Sequence, residues 1–200
     1  MKDDPRVNNN FFNNDSISSY LKDYSNDLNR AINSVSISEL ENALNTLKEY
    51  SSTNKDILTI GNGGSHAIAD HLACDFTKGT YKDENQRLKV IPLGSLAAMH
   101  SAAANDFGHQ HAFSQQLKFL GSKESLLIAI SSSGKSENII NAVRYHQDQG
   151  GKCIAMTGFD GGDLGKISDV SLHVSSSNYG IIEDTHQSLV HILAQYLYLI

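Results

Sequence analysis

The chain has 200 residues, 40% of them hydrophobic, which is enough to bury the core of one domain. Its formal net charge of −6 argues against a nucleic-acid backbone as the main partner. No stretch is long and apolar enough to be read as a membrane span. The polar first residues lack the apolar core of a signal peptide, and the two cysteines form no CxxC pair, so we expect a cytoplasmic protein.

Two amphipathic helices are predicted before the first strand. Between about Ser16 and Val35, apolar residues recur near one face of a helix. A second helix is predicted to begin at Ser38, because Glu41 three residues later completes a capping box. We interpret residues 1–54 as an N-terminal helical extension that packs on its own domain or on a partner subunit.

From Lys55 onward, short apolar runs alternate with helical segments. This alternation predicts parallel strands with helices on both faces of the sheet. The apolar runs are 57–60, 88–93, 126–130, 153–156 and 170–174, and a long helix is predicted over 181–200. We therefore predict an α/β fold for 55–200, a three-layer αβα sandwich with five parallel strands. A phosphate-type loop after the third strand suggests the flavodoxin-like strand order 2-1-3-4-5.

The most informative loop follows the third apolar run, where a hydroxyl-rich segment precedes a helix. Its sequence is Ser131-Ser132-Ser133-Gly134-Lys135-Ser136. Hydroxyl donors, the free N–H groups of a helix start and the positive end of the helix dipole favour a bound phosphate. A Ser-rich turn in which Ser136 serves only as a helix cap is the alternative.

A second loop is expected to face the first. In the predicted strand order, ligands bind where the winding reverses, between strands one and three. The loop after the first strand is glycine-rich and reads Gly61-Asn62-Gly63-Gly64-Ser65-His66. It fails the dinucleotide motif at His66, and the first glycine of an ATP-binding loop would fall at Ala129 inside a strand. A sugar phosphate is therefore favoured over a nucleotide.

Four ionisable residues form a candidate metal site. His71 and Asp75 are four residues apart on the helix after the glycine-rich loop, so they share one face. Glu183 and His191 are separated by roughly 80 degrees around the last helix and can border one cavity. Two histidines and two carboxylates suit zinc. A surface hydrogen bond between His71 and Asp75 is the simpler alternative.

Five segments, taken together and in order, resemble the sugar isomerase (SIS) domain of the phosphoheptose isomerase group. They are Gly61-Asn62-Gly63-Gly64-Ser65-His66, His71 with Asp75, Asn105-Asp106-Phe107-Gly108, Ile130-Ser131-Ser132-Ser133-Gly134-Lys135-Ser136 and Thr157-Gly158-Phe159-Asp160-Gly161-Gly162. The resemblance implies a single SIS domain over 1–200. It also implies an enzyme that converts sedoheptulose 7-phosphate into D-glycero-D-manno-heptose 7-phosphate through an enediol, for the heptoses of bacterial surface polysaccharides.

The resemblance also implies roles for individual residues. The expected homotetramer holds one Zn²⁺ per subunit, in active sites shared between subunits. Substrate-binding positions are Asn62, Gly63, Gly64, Asp75, Asn105, Asp106, Ser131, Ser132, Ser133, Ser136 and Glu183. Metal positions are His71, Asp75, Glu183 and His191, and the expected catalytic residues are Asp75, Glu183 and His191.

Two positions depart from the usual pattern of the group. Asp75 stands where Glu is usual, and Glu183 stands where Gln is usual. The shorter Asp75 has less reach, while Glu183 adds a negative charge beside the metal. Either residue can then be the base that removes the proton, and the preferred sugar can differ. A non-catalytic SIS module that binds a sugar phosphate and regulates a partner is the alternative function.

Overall fold

A five-stranded parallel sheet forms the centre of the molecule in the computed structural model, which describes residues 11–12, 15–83 and 86–200. Its order is β2-β1-β3-β4-β5, and every neighbouring pair runs parallel. The strands are β1 Asp56–Gly61, β2 Lys89–Pro92, β3 Leu126–Ser131, β4 Lys152–Thr157 and β5 Val170–His173. The predicted fold and strand order are confirmed.

Helices cover both faces of this sheet. They are α1 Ile17–Asn33, α2 Ile37–Thr53, α3 Gly64–Cys74, α4 Ala97–Phe107, α5 Ala112–Leu120, α6 Glu137–Asp148, α7 Gly162–Ile167 and α8 Tyr179–Leu199. A π-helical turn, Asp75–Gly79, extends α3. None of the helices in the described ranges combines the length and apolar character needed to cross a bilayer.

Two apolar cores lie on opposite faces of the sheet because strand side chains alternate between faces. In β3, Ile128 packs with helices α1, α2, α3 and α8, whereas Leu127 packs with α5, α6 and α7. The residues of β3 are buried on both sides, as expected for the central strand of a parallel sheet. This three-layer arrangement leaves the loops at the carboxyl ends of the strands free to form a site.

The N-terminal helical pair is present, but the predicted start of its second helix is wrong by two residues. The N-cap is Ser36, whose hydroxyl accepts a hydrogen bond from the Glu39 amide at 3.3 Å. The sequence contains two overlapping S-x-x-E frames, and packing decides between them. Buried Val35, just before the cap, shares a core with Leu40, which makes a hydrophobic staple. The Ser38 frame would instead use Ile37, which is 68% exposed.

The two N-terminal helices are attached to the last helix of the chain. Ala31 of α1 and Leu47 of α2 lie in the same core as Leu189 of α8. In addition, the Tyr24 hydroxyl of α1 donates a hydrogen bond to Asp184 of α8 at 2.6 Å. Residues 1–10 and 13–14, at the start of the predicted extension, lie outside the described part of the chain.

Candidate active site

The two predicted ligand loops lie next to each other at the carboxyl ends of the strands. The loop after β1 and the loop after β3 are neighbours because these strands pair as far as Gly61 with Ile130. Their order on the sheet makes this the point where the winding reverses, and such points bind ligands in open α/β sheets. We call residues 131–136 the hydroxyl loop and residues 61–66 the glycine loop.

The hydroxyl loop is a tight turn with hydroxyl groups at its start and at its end. The Gly134 amide donates to the Ser131 carbonyl at 3.0 Å, which closes the turn. At the two ends of the loop, the hydroxyls of Ser131 and Ser136 lie 3.4 Å apart. The Ser133 hydroxyl accepts a hydrogen bond from the Lys135 amide at 3.2 Å. Several donors are thereby concentrated at the start of α6, an arrangement suited to an anion.

Two hydroxyls of this loop have unused hydrogen-bonding capacity. Ser132 is 5% exposed, and its hydroxyl has no partner among the described residues. A buried hydroxyl without a partner costs free energy. Ser136 is the N-cap of α6, yet its side chain makes no capping hydrogen bond within the described chain. By contrast, the N-cap hydroxyls of Ser16 and Ser36 both accept one. A role for Ser136 as a cap alone is therefore not what the structure shows.

The far side of the hydroxyl loop rests on the loop after β4 and on the first turn of α7. The Gly158 amide donates to the Ser132 carbonyl at 2.8 Å, and the Leu164 amide donates to the Gly134 carbonyl at 3.0 Å. Gly134 has a positive φ of 63°. A Cβ atom at this position would lie 2.0 Å from the Gly161 carbonyl oxygen. Only glycine fits here without a shift of the backbone.

The glycine loop is tied to α6 by a pair of amides. Asn62 donates to the side-chain oxygen of Asn138 at 2.9 Å, and Asn138 donates back to Asn62 at 2.9 Å. Asn138 was not singled out in the sequence because a lone Asn near a helix start carries no distinguishing pattern. Its position two residues after Ser136 is the one available clue.

Glu183 of α8 also reaches the glycine loop. Its carboxylate lies against Gly64, where a Cβ atom would be 2.4 Å from Oε2 of Glu183. Burial, and then the neighbouring Asp184 carboxylate, raise the pKa of Glu183 above its ordinary value. Asp184 is held in turn by Tyr24, a residue whose place beside the site could not be inferred from the sequence.

Three of the four predicted metal ligands come together at the end of α3, where His71 and Asp75 meet His191 of α8. Nε2 of His71 and Nε2 of His191 lie 3.2 and 3.3 Å from Oδ2 of Asp75, and 3.1 Å from each other. Asp75 is the first residue of the π-helical turn, a feature that is frequent at functional sites. We call these three residues the imidazole–carboxylate cluster.

The donors of this cluster fit zinc. Tetrahedral bonds of about 2.0–2.1 Å place ligand atoms roughly 3.3 Å apart, close to the spacing observed here. Two imidazoles and one carboxylate supply three of the four ligands of a tetrahedral zinc site, and one position is left for a further ligand. The side chains of His71 and His191 are 49% and 45% exposed, so small molecules can reach them.

Glu183 does not join the cluster within one chain. It lies eight residues before His191, and a helix rises about 12 Å over that distance. Glu183 and His191 therefore lie on nearby faces of the helix, as predicted, but are too far apart along its axis to hold one ion. Instead, the amide nitrogen of Gln187 lies 3.1 Å from Nε2 of His191. Gln187 was missed, although its spacing of four residues from His191 was visible in the sequence.

Asn105 and Asp106 lie near the end of α4. Both are exposed, and Asn105 donates a hydrogen bond to the Asp106 carboxylate at 2.9 Å. Their side chains are thus available at the surface of one chain. The substrate-binding role of these two residues stays a prediction.

Comparisons with known proteins agree with this architecture. The model of the SIS domain family matches residues 19–158. A phosphoheptose isomerase of Helicobacter pylori is 38% identical over 154 residues, which cover 77% of this chain and 80% of that protein. A phosphoheptose isomerase of Aliarcobacter butzleri is 39% identical over 78% of this chain and 82% of its own length. The chain belongs to the SIS-domain phosphoheptose isomerase family.

Solved structures of this family have the same fold. Phosphoheptose isomerase GmhA from Neisseria gonorrhoeae superposes with a TM-score of 0.83 at 27% identity, covering 92% of this chain and 97% of that one. The enzyme from Francisella tularensis gives the same TM-score and coverage at 29% identity. The NanR protein of Vibrio vulnificus, complexed with ManNAc-6P, has a TM-score of 0.63 at 17% identity and shares the fold alone.

Proposed function

We propose that this isomerase interconverts sedoheptulose 7-phosphate and D-glycero-D-manno-heptose 7-phosphate through an enediol, for the synthesis of bacterial surface heptoses. The observation that carries the proposal is the pairing of an unsatisfied hydroxyl loop with the imidazole–carboxylate cluster. The first feature suits the phosphate end of such a substrate. The second suits the carbonyl end, where the chemistry occurs.

The phosphate end is assigned to the serines of the hydroxyl loop, Ser131, Ser132, Ser133 and Ser136. Their hydroxyls and the amides at the start of α6 donate to phosphate oxygens. The glycine loop, with Asn62, Gly63 and Gly64, borders the sugar. Binding energy from the phosphate fixes the reacting carbons relative to the catalytic groups.

The chemical end is assigned to Asp75, Glu183 and His191. An aldose–ketose exchange removes a proton from one carbon and returns it to the neighbouring carbon. Asp75 or Glu183 accepts this proton, and His191 moves a proton to or from the substrate oxygen. Zn²⁺, held by His71, Asp75 and His191 with Glu183 as the proposed fourth ligand, would polarise the carbonyl and stabilise the developing negative charge.

We propose that active sites are shared between subunits of a homotetramer. Along α3, Asp75 is eleven residues from Gly64, or about 16 Å, so loop and cluster of one chain are well separated. A second copy would bring its own Glu183, Asn105 or Asp106 to the cluster. Exposed apolar side chains on α8 and α1 suit burial against such copies: Ile192, Tyr196, Leu199, Ile17 and Leu21.

The N-terminal helices are proposed to belong to the same single domain over 1–200, because α1, α2 and α8 share one core. A cytoplasmic location is proposed as well. It is supported by the unpaired thiols of Cys74 and Cys153, which suit a reducing compartment.

One experiment tests the proposed reaction. Protein saturated with Zn²⁺ and chelator-treated protein are incubated with sedoheptulose 7-phosphate, and aldose formation is followed by NMR. We expect turnover in the Zn²⁺-saturated protein and none in the chelator-treated protein. Asp75→Asn and Glu183→Gln are then compared, and the variant that loses turnover while still binding both substrate and Zn²⁺ identifies the base. Full activity in both variants would refute the assignment.

The assay also separates the alternatives. Binding of the sugar phosphate without turnover in either metal state would support a regulatory SIS module. Turnover of a different ketose phosphate, with none of the heptulose, would keep the isomerase and change its substrate.

A further inference from the structure

We infer that Asn138 is a positioning residue, which orients Asn62 toward the sugar by means of the reciprocal amide pair. This inference rests on the proposed function only in assigning a sugar phosphate to the two loops. Asn138 is the second residue of α6 and is 2% exposed. A buried amide needs hydrogen-bond partners, and here both come from Asn62.

The Asn62–Asn138 pair connects the glycine loop to the start of α6, beyond the last backbone hydrogen bonds between β1 and β3. Backbone pairing between β1 and β3 ends at Gly61 and Ile130, one residue before Asn62. On its other side, the hydroxyl loop is fixed to the β4 loop by backbone hydrogen bonds at Ser132 and Gly134. On the β1 side, the connection across the two loops is made by side chains. The Asn62–Asn138 pair therefore holds the two segments that follow β1 and β3 together at the carboxyl ends of these strands.

The pair leaves Asn62 partly free to bind a ligand. A side-chain amide has two N–H donors and an oxygen with two lone pairs. Each Asn of the pair uses one donor and one lone pair on the other. Asn62 is only partly buried, so its second N–H and second lone pair can serve a sugar hydroxyl.

Coupling between the two amides follows from this geometry. The reciprocal bonds require that both amide planes rotate together, because rotation of Asn62 alone would bring N–H against N–H and oxygen against oxygen. Asn138 thereby holds the amide plane of Asn62 in place and couples the orientation of that amide to its own. An effect of Asn138 on sugar binding should consequently depend on the presence of Asn62.

A double-mutant cycle in binding tests the inference. Dissociation constants for sedoheptulose 7-phosphate and for inorganic phosphate are measured by calorimetry on chelator-treated full-length protein. The variants are Asn138→Leu, Asn62→Ala and the double variant. Leu has a similar size to Asn and cannot form the amide hydrogen bonds. Asn138→Ala repeats the test if the Leu variant does not fold.

We expect Asn138→Leu to weaken sugar-phosphate binding about tenfold, the size of one well-placed hydrogen bond. Affinity for inorganic phosphate, held by the hydroxyl loop, should stay within about threefold. In the Asn62→Ala background, the substitution at 138 should cause no further loss. Asn141→Ala is the matched control, because Asn141 lies one turn further along α6 and donates to the Gln110 carbonyl at 3.0 Å. It should leave both affinities unchanged.

Three results would overturn the inference: unchanged sugar-phosphate binding in Asn138→Leu, additive losses in the double variant, or an equal loss for inorganic phosphate. The last would mean that Asn138 only maintains the loop. These outcomes are independent of turnover. A coupled cycle in a protein without isomerase activity would refute the proposed reaction and retain the positioning role.

Discussion

The hydroxyl loop and the imidazole–carboxylate cluster differ in how complete they are within one chain. The loop is fixed by backbone hydrogen bonds to Gly158 and Leu164, the helix that follows it is tied to Asn62, and Ser131 and Ser132 are 5% exposed. The cluster has half-exposed histidines, and Glu183, the predicted fourth ligand, lies elsewhere. The proposed phosphate site can thus be prepared by the fold of one chain. For the chemical end, we propose that a metal ion and a neighbouring subunit are needed as well.

Removing a cluster histidine should separate the two regions most strongly. His71→Ala is expected to weaken Co²⁺ or Zn²⁺ binding more than about 100-fold, because loss of a ligand costs more than loss of its outer hydrogen bond. Affinity for inorganic phosphate should not change. Metal content by mass spectrometry and Co²⁺ absorption are the measurements. His109→Ala, at an exposed histidine outside the cluster, is the control, and equal metal loss in both variants would contradict the assignment.

The stability of the protein should depend on pH through His186, which packs behind the hydroxyl loop at the end of β4. His186 is fully buried with its Nε2 3.1 Å from the Thr157 carbonyl, and burial is the main cause that lowers its pKa to about 4. In the unfolded chain it titrates near 6.5. Between about pH 6.5 and 4 the unfolded chain therefore binds a proton that the folded protein does not, and stability falls as pH falls.

The loss should reach about 3 kcal/mol near pH 4, at roughly 1.4 kcal/mol per pKa unit. His186→Gln keeps an N–H donor for Thr157 and cannot titrate, so its stability should fall less across this window. Urea unfolding between pH 7 and pH 4 measures both proteins. Parallel curves would show that His186 does not titrate as described.

Ser132→Ala should exchange affinity for stability. The buried hydroxyl lacks a partner in the described part of the chain, so its removal should raise the free energy of unfolding by about 1 kcal/mol. The same change should weaken phosphate binding about tenfold. Ser125 is a matched control, since its buried hydroxyl donates to the Ser122 carbonyl at 2.6 Å. Ser125→Ala should lower stability and leave phosphate affinity unchanged, and the same pattern in Ser132→Ala would refute a ligand at the loop.

Much of the fold could be predicted from the sequence, because many of its elements are determined by residues close together in the chain. The runs that became β1, β3 and β4 are apolar and bounded by loop residues, and the ligand-type loop after the third strand indicated the strand order. The start of α2 did not follow, because two capping frames overlap, and packing of Val35 and Leu40 in the core shared with other helices selects one of them.

The candidate site was predictable in its parts and less so in its arrangement. His71 and Asp75 share a helix, so four-residue spacing already placed them together. Their meeting with His191 is visible only in the folded chain. Asn138 and Tyr24 act through partners 76 and 160 residues away, and no local pattern reports such contacts.

The smallest effect should distinguish two serine N-caps. Ser36→Ala removes a capping bond and should cost about 1 kcal/mol of stability, without an effect on phosphate binding. Ser136→Ala should weaken phosphate binding a few-fold, while thermal unfolding stays within a degree or two of the parent. Loss of stability in Ser136→Ala without loss of affinity would restore the role of a simple cap.

The contact between Gly64 and Glu183 has a consequence for how this site can evolve. Any larger residue at 64 meets the Glu183 carboxylate at once. A single methyl group there would act as a wedge that expels the carboxylate without altering it. Because that carboxylate is the end of a flexible side chain, Glu183 can rotate away from a side chain at 64. A substitution at 64 can therefore change where this acid lies while residue 183 itself stays the same.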